Sequence, residues 1–436
     1  MRFTQTCLLL ALTLVVSGCA SAGDRLNDGI ELQAEGRWME AAYRYADAVE
    51  KDETLAAARD RLMVAGDSAI QIAVRTASDF WSDGDPIRAA DEFRSVDALL
   101  IRVREVGLRL TTPTEYGDLR RESFKWAIDA LMSFGDRAAA DGDFGDARSA
   151  FIRARSDYEA TPEERASAFE AETGLLVAWA GSLLTDQRYQ GAFSRAEEAL
   201  QLRPSPRPST VDAVRSIQSE ALALGTVRLA VLPITSVAEV RESVGDGMGS
   251  RLGDDLELDY WREPPPFVAV VDPVRVRRQT REATRLDETL TPRALRRLLE
   301  SVGAEYAALI EVSSVTVTEE NTRTNGRSAR TRDGRTTSYE VLSGRRVYDV
   351  RVSLVLVDDD GREFDSWSTS SREGGTFERG VYDGAIDELD LGRNERRLFN
   401  DDVQEAQRAE VESKVLARLA EKIADRVFDR VLSRVP

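Results

Sequence analysis

Apolar positions divide the chain into two textures. Residues 24–225 carry no β-rich run; Ala, Arg, Glu, Leu and Asp dominate, and the pattern predicts helix throughout. From residue 226 the texture changes. Val227 to Ile234 is a nearly continuous apolar run, as in a strand covered on both faces. A helix is expected near 244–259, a second buried strand over 267–271, helices near 274–284 and 292–302, and a third strand over 307–317. Tyr348, Val350, Val352, Leu354 and Leu356 alternate, which predicts a strand with one wetter face. Asp358-Asp359-Asp360-Gly361 predicts a hairpin turn, with a return strand over 362–370. Finally, Val411, Val415, Leu419, Ile423, Val427 and Val431 recur at every fourth position and form the apolar stripe of a long C-terminal helix.

A weak repeat runs through the helical half. Gly36, Trp38, Ala41, Tyr45 and Ala48 are matched by Gly84, Pro86, Ala89, Phe93 and Val96, and by Gly142, Phe144, Ala147, Phe151 and Ala154. A fourth copy keeps Tyr189, Ala192, Ala196 and Ala199, followed by Pro204. Glycine ends one helix and turns the chain, and the residue two further on opens the next helix. The following Ala lets helices approach, and the aromatic fills the groove between them. These residues resemble the second half of tetratricopeptide (TPR) repeats. The resemblance implies an array of four irregular helix pairs, with long first helices near 54–82, 114–141 and 162–185; the alternative is an antiparallel bundle without a shared groove. The proline-rich stretch 203–208 breaks the array, and a helix near 210–224 leads into the second texture.

The start of the chain carries a separate signal. Arg2 precedes an apolar run from Leu8 to Val16, far shorter than the ~20 residues that span a bilayer, and the run closes on Val16-Ser17-Gly18-Cys19. This resembles the signal peptide and lipobox of Gram-negative lipoproteins. The resemblance implies cleavage after residue 18 and lipid, palmitate included, on Cys19. With Ala20 next, it implies the outer membrane. Two or more acyl chains give stable anchoring. Ala20-Ser21-Ala22 also fits an ordinary cleavage site that would release a soluble protein.

Within 227–434, Ala230-Val231-Leu232-Pro233-Ile234, Gly245 to Leu252 and Phe267 to Asp272 come in order. Gly303 to Ile310, Leu354 to Gly361 and Ser366-Trp367-Ser368 follow. Together they resemble the CsgG/LpoB/TolB-N-like periplasmic domain. The resemblance implies an α/β sandwich in a lipid-anchored protein that binds and assembles without catalysis. The expected organisation is thus α+β and multidomain, with a signal peptide (1–18) and a TPR-like all-α array (24–202). A linker with its connecting helix (203–225) leads to a CsgG/LpoB-like α/β domain (226–436).

Composition narrows the chemistry. The 436 residues carry a formal net charge of −18, which opposes binding to nucleic acid or to anionic lipid surfaces. There is no histidine, and Cys7 and Cys19 are the only cysteines. Catalysis by Ser-His-Asp or Cys-His groups and His-based zinc sites are excluded. Neither a cofactor nor a metal is expected.

Three motifs suggest sites. Gly245-x-Gly247-x-Gly249 lies too far beyond its strand for a phosphate loop and reads as a helix entrance packed on the sheet. Asp358 to Gly361 lacks the spaced ligands of a calcium loop and reads as a solvated turn. Residues 321–338 gather Arg323, Arg327, Arg330, Arg332 and Arg335 in an acidic protein, on a mobile loop or hairpin extension between the third and fourth strands. An anionic partner docks there through guanidinium forks, or the segment is a solvated tip. Its alternate positions are too polar for a membrane hairpin.

The combined expectation is an outer-membrane lipoprotein facing the periplasm, with no catalytic activity. It would scaffold or regulate an envelope assembly through contacts with envelope proteins, and homo-oligomers are open to it. The alternative is a subunit of a secretion or export assembly whose α/β domain forms a ring. A small-ligand receptor is a third reading.

Overall fold

The computed structural model describes residues 21–203, 205–244, 247–286 and 290–436. The signal segment with Cys19, and also Pro204, Gly245 and Asp246, lie outside the described residues. The chain forms two compact units. One comprises residues up to Ser182 together with Ser194–Ile217; the other comprises Leu183–Phe193 with Gln218–Pro436.

The first unit is all helix. Its elements are α1 (Ala22–Ala34), α2 (Trp38–Lys51), α3 (Ala56–Ser82), α4 (Pro86–Glu105), α5 (Tyr116–Asp141) and α6 (Phe144–Ser156). Most of α7 (Pro162–Thr185), the end of α8 (Tyr189–Gln201) and the start of α9 (Pro208–Gly225) complete it. The long helices expected near 54–82, 114–141 and 162–185 are α3, α5 and α7. Local chemistry sets their ends. Ser21 and Asp24 form a reciprocal capping box on α1. Pro86 sits in the first turn of α4, where it removes no needed donor, and Asp85 accepts from the Arg88 N–H at 3.1 Å.

Each second helix starts two residues after a left-handed residue: Gly36 (φ 80°), Gly84 (φ 76°), Gly142 (φ 86°) and, in the fourth copy, Gln187 (φ 60°). Glycine takes that conformation without a Cβ clash; a glutamine there is strained by about 1–2 kcal/mol. Gln187→Gly should therefore raise stability, by about 1 kcal/mol, read as a higher urea midpoint at unchanged slope.

The spaced residues of the repeat form the core between helices. Ala41, Tyr45, Ala89, Phe93, Ala147, Phe151, Ala192 and Ala196 are all buried. Charged clusters tie the second helices together in order. Arg102 of α4 bonds Asp47 and Glu50 of α2 at 2.8 and 2.5 Å. Arg153 of α6 and the Tyr158 hydroxyl donate to Asp91 of α4 at 3.1 and 2.7 Å. Arg148 of α6 pairs with Glu198 of α8. Burial, and next the hydrogen bond to Asp91, push the Tyr158 hydroxyl well above its usual range. Asp97 acts likewise on buried Tyr116. Both phenols remain donors at neutral pH.

The second unit is built on a mixed sheet of β1 (Val227–Val231), β2 (Thr235–Ser236), β3 (Val268–Val270), β4 (Tyr306–Thr331), β5 (Thr336–Val357), β6 (Glu363–Val381) and β7 (Leu389–Asp390). The strand order is β3-β1-β4-β5-β6. β1 runs parallel to β3 and β4, while β4, β5 and β6 form an antiparallel meander. Leu229 and Ala230 are both fully buried, on opposite faces of β1, as its apolar run requires.

Between the strands lie α10 (Ala238–Val244), α11 (Gly247–Asp259), α12 (Pro273–Leu286) and α13 (Pro292–Val302); α14 (Arg393–Leu398) and α15 (Asp401–Leu432) follow the sheet. One face packs Ala230, Ala307 and Val357 against Val276, Leu295 and Leu299 of α12 and α13. The other packs Leu229, Ile310, Val350 and Leu354 against Leu252 of α11 and the expected stripe of α15. Gln404 and Lys422 of α15 donate to the Glu378 and Ser370 carbonyls at 2.6 and 2.8 Å, capping acceptors of edge strand β6.

Three expectations on strand length are corrected. The third strand runs to Thr331 rather than Val317, the fourth starts at Thr336, and the return strand reaches Val381. The added length of β4, 318–331, is polar and so carries no alternation signal. Ladder hydrogen bonds and a small satellite core of Tyr339, Val341, Leu389 and Leu391 hold it. The Asp358–Gly361 turn is where it was expected. Gly361 has φ 75°, and a Cβ there would collide with the Pro292 carbonyl. Of the Gly245 motif, Gly247 opens α11, and a Cβ at Gly249 would come within 3.3 Å of the Ile234 carbonyl, so the glycine serves the close packing of this helix.

Candidate functional site

The helical unit exposes an aromatic pair on its first helices. Trp81 of α3 and Trp126 of α5 meet edge to face with centroids 5.9 Å apart. They remain 38% and 53% exposed, a large apolar surface left in water. On α5 the core-facing positions are Phe124, Ala127, Ile128, Leu131, Gly135 and Ala138. Trp126 and exposed Phe134, two turns on, fall outside that stripe. Their position off the buried face is the sequence signal that the pattern reading missed.

Hollows line the same helices. One of about 180 Å³ opens beside Trp81, walled by Ala77, Phe93, Leu119 and Glu122. A second, of about 540 Å³, lies between α5 and the entry to α7, with Arg120, Lys125, Ile128 and Glu159 around it. A third, of about 330 Å³, lies between α7 and the start of α9, lined by Phe169, Thr173, Gly174 and Arg207. Arg120 is held in place by Asp97 at 2.6 Å and Glu159 at 2.5 Å, and it stacks over Phe124 at 4.4 Å. The hollows mix apolar walls, such as Phe93, Ile128 and Phe169, with charged rims, such as Glu122, Arg120 and Arg207.

The arginine-rich segment is a hairpin extension formed by β4 and β5, with its turn at 332–335. The register spreads its charges. Arg323 and Arg327 stand opposite Ser343 and Tyr339, on the face that carries Val341. Arg330, opposite Thr336, points to the other face and lies beside Asp390 of β7. At the turn, Arg335 is paired with Asp333, which holds the Asp333 carboxyl down to about 2. The backbone N–H of Arg332 donates to the Glu388 carbonyl at 2.9 Å. The five arginines therefore form no single patch. Arg323 and Arg327 are exposed side chains on one face, alongside the buried Tyr339 and Val341.

Among the described residues, no group of three or more His, Cys, Asp or Glu is placed to hold a metal ion, and no helix is long and apolar enough to cross a membrane. Cys19 lies outside the described residues. Compared with known proteins, the chain matches no family model, and no curated protein is significantly similar to it.

Proposed function

We propose that this chain is a lipid-anchored outer-membrane protein facing the periplasm, which scaffolds or regulates an envelope assembly by holding other proteins. The observation that carries the reading is the exposed Trp81–Trp126 pair beside a hollow on the first-helix face. In TPR-like stacking the first helices line the concave, partner-binding side. Tryptophans in such places supply much of an interface's energy. The position of each left-handed turn, two residues before a second helix, supports the TPR-like reading. Parallel β1, β3 and β4 continued by a meander under a long C-terminal helix support the CsgG/LpoB-like one. Exposed Arg323 and Arg327 would steer an acidic surface of the partner, acting on association rate more than on final affinity.

A photo-crosslinking residue at position 122, in the same hollow and leaving both tryptophans in place, should capture the partner in intact cells. Trp81→Ala/Trp126→Ala should then weaken partner binding by at least about 2 kcal/mol, roughly 30-fold, and leave the melting temperature nearly unchanged. Unchanged binding to the captured partner would place the interface elsewhere. The anchoring part has its own test. Cys19→Ser should abolish incorporation of labelled fatty acid, whereas a mature N-terminus at Gly23 without acyl mass would reject a lipid anchor.

A further inference from the structure

A cavity of about 210 Å³ opens at the carboxyl ends of β1 and β3, between α11 and α12. The chain leaves β1 for β3 over one face of the sheet, by α10 and α11, and returns to β4 over the other, by α12 and α13. Crevices outside strand carboxyl ends, where connections part in this way, are where open α/β sheets bind ligands.

The lining is chemically specific. Ser250, Gly253, Asp254 and Glu257 come from α11, with Trp261 just after it and Arg277 from α12. Arg277 is engaged by Glu257 at 2.9 Å, so that pair is neutral. Asp254 and Ser250 are one turn apart and exposed at the mouth of the cavity, and among the described residues neither joins an ion pair. The mouth of the cavity thus presents a carboxylate without an ion-pair partner among the described residues, beside a hydroxyl. Glycine weakens a helix interior, yet packing does not require one at 253. A methyl group there would meet only the Ile234 side chain, at 3.8 Å, an ordinary contact. What the missing side chain leaves is room in the cavity.

We propose that this cavity binds a small primary ammonium compound, its –NH₃⁺ on Asp254 and Ser250 and its short carbon chain against Trp261. The three donors of an ammonium suit a carboxylate and a hydroxyl oxygen. The volume is below that of pockets for drug-sized ligands and suits a few-carbon amine. The site is independent of partner capture by the helical unit.

Saturation-transfer NMR on the full chain, with ethanolamine and n-butylamine as probes and n-butanol and butyrate as controls, tests this. The amines should bind saturably and the controls should not. Asp254→Asn should weaken amine binding about tenfold or more. Gly253→Ala should weaken it as well while leaving the melting temperature equal or higher, which separates loss of the site from loss of the fold. Failure of the amines to bind would overturn the proposal. So would equal binding by n-butanol, or unchanged amine affinity in both variants.

Discussion

Replacing Arg148 and Arg155 together with methionine should destabilise the helical unit by about 3–5 kcal/mol. Their shared partner, Glu172, is fully buried. Arg148 reaches it at 3.3 Å and Arg155 at 3.0 Å, and Arg155 also stacks over Phe169 at 4.3 Å. Methionine keeps much of the apolar stem, so the main change is a carboxylate left in the interior with no cation. An unpaired buried charge is far costlier than a missing pair. Adding Glu172→Leu to the double variant should therefore recover most of the loss. Urea unfolding followed by the helical circular dichroism signal decides. A double variant within 1 kcal/mol of the parent would mean that water, rather than arginine, serves the carboxylate.

A fragment starting at residue 226 should be less stable than one starting at residue 183 by about 3–5 kcal/mol, the scale of deleting a packed phenylalanine. Composition places the domain boundary in the proline-rich stretch, with the α/β domain beginning at 226. The second compact unit, however, includes Leu183–Phe193 and begins its main run at Gln218. Phe193 meets Phe267 edge to face at 5.5 Å. The Gln190 side-chain amide donates to the Leu432 carbonyl at 2.6 Å, and its backbone N–H donates to the Pro436 carbonyl at 3.3 Å. The Tyr189 side chain packs directly on Gly225. A fragment from 226 loses each of these contacts and bares the C-terminal end of α15. Equal urea midpoints for the two fragments would show that residues 183–225 contribute nothing to this unit and restore the boundary at 226.

Much of the local structure was legible along the chain, because it depends on short spacings. The stripe from Val411 to Val431 names a helix and its buried face at once, and α15 buries those residues. Gly36, Gly84 and Gly142 mark the turns between helices, since only glycine adopts left-handed backbone there without strain. The apolar run at 227–234 implies a strand covered on both faces, and β1 is one. Where the side chains are polar, the pattern falls silent. β4 and β5 therefore continue through 321–338, where alternation gives no strand signal, held by ladder bonds and by Tyr339 and Val341 beneath them.

The candidate sites divide in the same way. That residues 321–338 are rich in arginine is a property of the sequence. That Arg323 and Arg327 share a face, while Arg330 turns to the other and Arg335 is neutralised by Asp333, follows only from strand register and the turn. The Trp81–Trp126 pair joins residues 45 positions apart on two helices (81 to 126), and no local spacing brings them together. The sequence by itself determined the helical and α/β halves, the turns and the absence of histidine chemistry, because composition and nearest-neighbour periodicity carry those. Tertiary packing alone decided which apolar residues stay exposed, which charges are buried and where cavities open. Each of these depends on surfaces brought together from distant parts of the chain.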